Sequence, residues 1–150
     1  MNVQEETVVL FCKIMGIYKI MNIIKNLQVP TGNILVVDGD NGKLECLSLG
    51  DYGKDVNLKS DALGLSRKID KVVHTDLLPL SEKWVCTISS QYGCSSACKF
   101  CDCPKLGPGI NATFYDLVNQ VLTVLSLHPN IKSSKRLNIH FARIGEPTWN

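Results

Sequence analysis

Three cysteines, Cys94, Cys98 and Cys101, stand at CxxxCxxC spacing inside residues 84–107, WVCTISSQYGCSSACKFCDCPKLG, and Phe100 immediately precedes the last of them. Three thiolates this close in one loop can hold three corners of a cubane iron–sulfur cluster and leave the fourth iron without a protein ligand. That iron is then open to a second molecule. The same residues also allow a structural zinc site with Cys103 as the fourth ligand. Zinc ligands usually come as two separated pairs, often CxxC, whereas this is one asymmetric triplet.

The elements around the loop can be read from periodicity. Residues 83–90 are expected to form a strand, because Val85, Thr87 and Ile88 favour extended backbone and Gly93 ends the run ahead of the cysteines. Thr113 and Asp116 make a capping-box-like helix start. Phe114, Leu117, Val118, Val121, Leu122 and Leu125 then follow the spacing of one buried face until His128, Pro129 and Asn130 stop it. Residues 136–143 alternate, with Leu137, Ile139 and Phe141 on one side, and read as a second strand that runs into Ile144, Gly145, Glu146 and Pro147. Strand, cysteine loop, helix, strand and Gly-Glu-Pro loop make one βαβ unit with both special loops on the same edge.

Upstream, residues 33–49 read as a β-hairpin, with Asn41 and Gly42 suited to a tight turn. Residues 50–80 are mixed and polar and are assigned as loop with a short helix at most. Residues 7–24, TVVLFCKIMGIYKIMNII, are the most apolar stretch, but Lys13 and Lys19 interrupt it and a charge at a helix centre is costly in lipid. A packed helix or an upstream extension is expected there, with Met21 beginning a tidier start.

Composition bounds the rest. With 150 residues, 45% of them hydrophobic, the chain has the length and apolar fraction of one soluble domain. A net charge of +2 lacks the concentrated basic stripe of a nucleic-acid surface, so charge neither supports nor excludes RNA. Seven cysteines raise the idea of a disulfide scaffold, yet no secretory leader precedes them and three are clustered at ligand spacing. A cytoplasmic location and no membrane association are expected. Cys12 and Cys46 are read as small buried residues. His74, His128 and His140 show no ligand spacing, and Lys132, Lys135 and Arg136 read as a solvated connection.

CxxxCxxC after a short strand, with an aromatic before the third cysteine, resembles the signature of the radical S-adenosylmethionine (radical SAM) superfamily. More narrowly, SSQYGCSSACKFC, the following KLG and then IGEP at residues 144–147 resemble the adenine carbon-2 methyltransferases of ribosomal and transfer RNA and their carbon-8 relatives. The resemblance covers residues 84–150. It implies an α/β fold in which residues 83–150 form the first βαβ portion of a partial β/α barrel, and residues 1–82 form a small β-containing accessory region with a helix. It also implies that the chain is the N-terminal portion of a longer protein.

The function so implied is reductive cleavage of S-adenosylmethionine, with Cys94, Cys98 and Cys101 holding a [4Fe–4S] cluster, an electron donor such as flavodoxin or ferredoxin, and RNA as a partner. Glu146 would accept from the cofactor amine, Gly145 would allow close backbone approach, Pro147 would stiffen the turn, and Phe100 would lie against the adenine. The related methyltransferases use a further cysteine just upstream of the cluster motif. The matching position here is Thr87, one residue from Cys86, and a one-residue step along a strand reverses the face. Cys86 is therefore the candidate catalytic thiol and equally a core residue. The alternatives are a radical SAM reaction on another nucleotide-derived or small substrate, and a non-catalytic iron–sulfur or zinc module.

Overall fold

A computed structural model of the protein describes residues 19–51, 77–96 and 98–150. Its elements are β1 (Ile23–Val29), β2 (Gly32–Gly39), β3 (Gly42–Leu49), β4 (Trp84–Ile88), β5 (Gln91–Gly93), β6 (Pro108–Asn111), α1 (Phe114–Ser126) and β7 (Leu137–Phe141), with short 3-10 turns at Cys103–Leu106 and Pro147–Trp149. The fold is mixed α/β. One five-stranded sheet has the order β1-β2-β3-β4-β7, and β5 and β6 pair separately. Strands β1 to β4 are antiparallel to their neighbours, whereas β4 and β7 are parallel and joined through α1, which is the expected βαβ connection.

The β2–β3 hairpin forms as expected, but Gly39 pairs with Gly42, so Asp40 and Asn41 are the turn residues and Gly42 opens β3 at φ 136°. Strand β1 departs from the helix expected through residue 24; the rest of that apolar stretch, up to residue 18, lies outside the described residues. The register slips between Ile23 and Lys25, and this irregularity breaks the alternation that would have announced a strand. Residues 52–76, which include His74, also lie outside the described residues. Among the described residues no helix is long and apolar enough to cross a membrane.

Strand β4 is buried at every position, as a central strand with neighbours on both sides and a helix across one face must be. Leu35, Val37, Leu44, Cys46, Trp84, Cys86 and Ile88 form the core with Val124, and Leu117, Val121 and Leu125 pack against it. Helix α1 starts with the expected capping box: Thr113 Oγ1 accepts from the Asp116 N–H at 3.0 Å and Asp116 Oδ2 accepts from the Thr113 N–H at 2.9 Å.

Its buried face is rotated from the expected one. Phe114 is exposed, while Asp116, Asn119, Gln120 and Thr123 are buried with Val124. These polar side chains meet backbone groups that have no ladder partner. Asn119 accepts from the Lys19 N–H at 3.0 Å, Thr123 from the Met21 N–H at 2.8 Å, and the Gln120 amide pairs with both the N–H and the carbonyl of Ser89 at 2.9 Å. Satisfying buried backbone groups outweighs placing one more aliphatic side chain on the sheet.

Candidate functional site

Beyond β4 the chain bends at Ser89 and Ser90 and continues as β5, which pairs with β6 through Gln91↔Asn111, Tyr92↔Ile110 and Gly93↔Pro108. The cysteine loop leaves and re-enters across this ribbon, closed at its base by Cys94 N–H to Gly107 O at 3.2 Å. The crossing is tight. A Cβ on Gly93 (φ 80°) would lie 2.2 Å from Gly107 O, and one on Gly109 (φ 84°) would lie 2.5 Å from the Ser95 nitrogen. Glycine is required at both positions by contact and by conformation.

Inside the loop, Cys101 N–H donates to Cys98 O at 3.1 Å and Cys103 N–H donates to Cys101 Sγ at 3.4 Å. Cys94, Cys101 and Cys103 are half-buried, Cys98 is exposed, and all four are free thiols. Burial pushes the Cys103 thiol up, and Cys101 and then Cys94 push it further, while the Gly145 backbone N–H opposes them. Cys94, Cys101, Cys103 and Gly145 therefore share one neighbourhood. Among the described residues no three Cys, His, Asp or Glu side chains already converge on one metal position. The donor set nevertheless suits an iron–sulfur cluster: three free thiols on one glycine-closed loop, with a backbone N–H already directed at a ligand sulfur. Phe100 is 93% exposed.

The Gly-Glu-Pro turn lies directly against β5. Ile144 O accepts from the Ser90 N–H at 2.9 Å and the Gln91 N–H at 3.2 Å, and the Ile144 N–H donates to Ser89 Oγ at 3.2 Å. Ser89 Oγ also donates to Glu45 O at 2.6 Å, and Arg143 forms an ion pair with the Glu45 carboxylate, so strand β3 braces the turn. Gly145 stands at φ 104°, where a Cβ would meet the Gln91 nitrogen at 2.6 Å and Ser90 Oγ at 2.8 Å. Its freedom from a side chain serves this close approach to Gln91. Among the described residues the buried Ser90 Oγ has no hydrogen-bond partner, and it faces the same spot.

Glu146 Oε1 accepts from Thr148 N–H at 3.1 Å and Thr148 Oγ1 at 2.8 Å, capping the Pro147–Trp149 turn. Those two bonds, the backbone one first, hold its carboxyl below the usual range. Both fall on one oxygen.

Cys86 is sealed. It is fully buried between sheet and helix, and burial pushes its thiol up to about 12. Its neighbour Thr87 turns to the other face of the sheet, opposite Leu47 on one side and His140 on the other. Cys46 is also a core residue, pushed up to about 12 by burial and then by Cys86. His128 packs edge-on against Trp84 with ring centroids 5.3 Å apart.

Sequence reasoning passed over Ser89, Gln91 and Gln120, the polar residues that knot these loops together. The signal for Ser89 and Gln91 is the polar run Ser-Ser-Gln, which follows an apolar strand directly and precedes the glycine and the first cysteine; Gln120 carries no such signal.

The same chain can be set beside known proteins. The dual-specificity RNA methyltransferase RlmN of Ruthia magnifica is 36% identical over 84 residues, 55% of this chain and 23% of that protein. The RlmN of Campylobacter lari is 32% identical over 92 residues, 61% of this chain and 26% of that protein. The RlmN of Wigglesworthia glossinidia brevipalpis is 31% identical over 129 residues, 84% of this chain. Over these segments the chain is homologous to RlmN. It spans 31% of the Wigglesworthia protein and about a quarter of the other two. No protein-family model matches the chain, and no solved structure matches it either.

Proposed function

We propose that this chain carries the cluster-binding and cofactor-binding part of a radical SAM enzyme of the RNA methyltransferase type, built on the first βαβ unit of a partial β/α barrel. One observation carries the reading. The CxxxCxxC loop follows β4 and the Gly-Glu-Pro turn follows its parallel neighbour β7, and the two are hydrogen-bonded to each other through Ser90, Gln91 and Ile144. Loops at the C-terminal ends of parallel strands are where α/β folds gather their chemistry.

In this reading Cys94, Cys98 and Cys101 are the ligands of a [4Fe–4S] cluster, and the cluster, when bound, supplies the electron that S-adenosylmethionine accepts on cleavage. The chain's own part is to leave one coordination position open and to keep an anionic acceptor beside it. Glu146 is held in its ionised form by the two bonds from Thr148 to one carboxylate oxygen, and the second oxygen would accept from a cationic donor such as the cofactor amine. Pro147 fixes the backbone of that turn, and Gly145 lets it approach β5. Phe100, free of packing, is available to cover an adenine ring.

The electron donor is a flavodoxin or ferredoxin, and an RNA substrate follows from the names of the relatives. Cys86 takes no part in this chemistry, since its thiol is enclosed and protonated. Anaerobically reconstituted and reduced protein should convert S-adenosylmethionine to 5′-deoxyadenosine and methionine, and Cys98→Ala should abolish the conversion. An intact cluster with no cleavage would reject catalysis in favour of a binding module.

A second reading is a zinc module, favoured by one contact: Cys103 lies against Cys101, so four thiols share one loop. Stoichiometric zinc in a colourless protein would identify it.

A further inference from the structure

We infer that Gln91 is a positioning residue that sets the spacing between the cysteine loop and the Gly-Glu-Pro turn; the inference rests on the function proposed above. Gln91 is 1% exposed, and both polar atoms of its side-chain amide are hydrogen-bonded. Nε2 donates to Gly109 O at 3.1 Å and to Asn111 Oδ1 at 2.9 Å, both on the strand that returns from the cysteine loop. Oε1 accepts from the Glu146 N–H at 3.0 Å, on the turn that presents the carboxylate. One planar group thus reaches both loops, and its two ends cannot be exchanged, because only the nitrogen can donate and only the oxygen can accept.

The surroundings keep it in that pose. The Gln91 backbone N–H donates to Ile144 O at 3.2 Å, and Gly145 leaves no space between the turn and the Gln91 backbone. Any shift of the amide moves the turn relative to β6. A buried polar group with all its partners made is rigid, and removing one partner leaves the others unsatisfied. Spacing matters for the proposed reaction because a cofactor held jointly by an iron and by a carboxylate turn binds well only when both lie at its own span.

Gln120 supplies the comparison. It is equally buried and also bridges with its amide, to the N–H and carbonyl of Ser89 and to Asp116 O, but those bonds tie helix α1 to the end of β4 and none of them reaches the cysteine loop, β6 or the Gly-Glu-Pro turn. A residue that acts only through stability should behave like Gln120.

The test uses the whole 150-residue chain, reconstituted with iron and sulfide without oxygen and reduced, and follows the electron paramagnetic resonance signal of the cluster as S-adenosylmethionine is added. Gln91→Met should keep the iron content and the signal seen without cofactor, yet need about tenfold more S-adenosylmethionine for the half-maximal spectral change, a loss of about 1.4 kcal/mol. Gln120→Met should keep the half-saturating concentration within about twofold, even where its unfolding midpoint falls.

Gln91→Glu keeps the shape and the acceptor for Glu146 but turns a carboxylate toward two acceptors. Its half-saturating concentration should therefore fall as the pH is lowered from 8 to 6 and a proton restores one donor, while the unsubstituted protein stays flat. A wild-type half-saturation in Gln91→Met, equal weakening in Gln91→Met and Gln120→Met, or loss of the cluster itself in Gln91→Met alone would overturn the inference. Should Gln91→Met not fold, a flat pH profile in Gln91→Glu overturns it instead. An unsubstituted protein that forms no cluster, or whose signal ignores S-adenosylmethionine, defeats the proposed function rather than the role of Gln91 within it.

Discussion

Replacing Gly145 by alanine should be among the most damaging single-methyl additions in the molecule. Two costs combine. At φ 104° an L-residue sits outside its ordinary regions, which costs about 1–3 kcal/mol. The added Cβ would also stand 2.6 Å from the Gln91 nitrogen and Cβ, and these atoms belong to a strand rather than to the free end of a side chain. Relief requires the turn to lift, breaking the bonds from Ser90 N–H and Gln91 N–H to Ile144 O, each worth about 1 kcal/mol. The sum is about 3–5 kcal/mol, a large part of the 5–15 kcal/mol that stabilises a typical domain.

Gly42→Ala is the matched control. Its φ of 136° carries a similar strain, but the nearest atom to a Cβ there is Tyr92 Cδ1 at 3.7 Å, an ordinary contact. Urea unfolding followed by circular dichroism should place Gly145→Ala about 2 kcal/mol below Gly42→Ala. Hydrogen exchange should show faster opening at Ser90, Gln91 and Glu146 in the first variant only. Equal destabilisation of the two, within about 0.5 kcal/mol, would refute the close approach of turn and strand.

Two further outcomes are expected. Cys46 and Cys86 are raised from 9.0 to about 12 in the folded protein, so their stabilising effect is complete below pH 9 and is lost as pH climbs from 9 toward 12, at up to about 1.4 kcal/mol per pH unit for each thiol. Alkaline unfolding curves should show this slope, Cys86→Ala should reduce it, and a thiol reagent at pH 8 should modify Cys98 while sparing both core cysteines until the chain unfolds. Thr113→Ala removes the acceptor for the Asp116 N–H at the start of α1 and should cost about 0.5–2 kcal/mol in urea unfolding, with Thr113→Ser restoring most of it.

Local patterns were legible where they were also locally satisfied. The hairpin around Asn41, the capping box at Thr113 and Asp116 and the cysteine spacing each complete their structure within a few residues, and β7 was legible from its alternation although its partner β4 lies far back in the sequence. The polar stripe of α1 was not legible, because Asn119, Gln120 and Thr123 find their partners at Lys19, Ser89 and Met21, far away in the sequence. Strand β1 was hidden by the irregularity after Ile23. Within the site, Cys94, Cys98, Cys101, Gly145 and Glu146 could be singled out by type, yet nothing in the sequence showed that Gly145 fits against Gln91 or that Thr148 already occupies one oxygen of Glu146. Cys86 and Thr87 illustrate the remaining ambiguity: alternation gives them opposite faces, yet the structure buries both, because β4 is covered on each face.

The decisive measurement is metal content and spectrum after anaerobic reconstitution with iron and sulfide. Ligation by Cys94, Cys98 and Cys101 predicts a brown protein with about four irons per chain, whose reduced paramagnetic signal shifts when S-adenosylmethionine is added and is lost in Cys94→Ala, Cys98→Ala and Cys101→Ala but persists in Cys103→Ala. A colourless protein that carries stoichiometric zinc and loses it in Cys103→Ala would contradict that ligation.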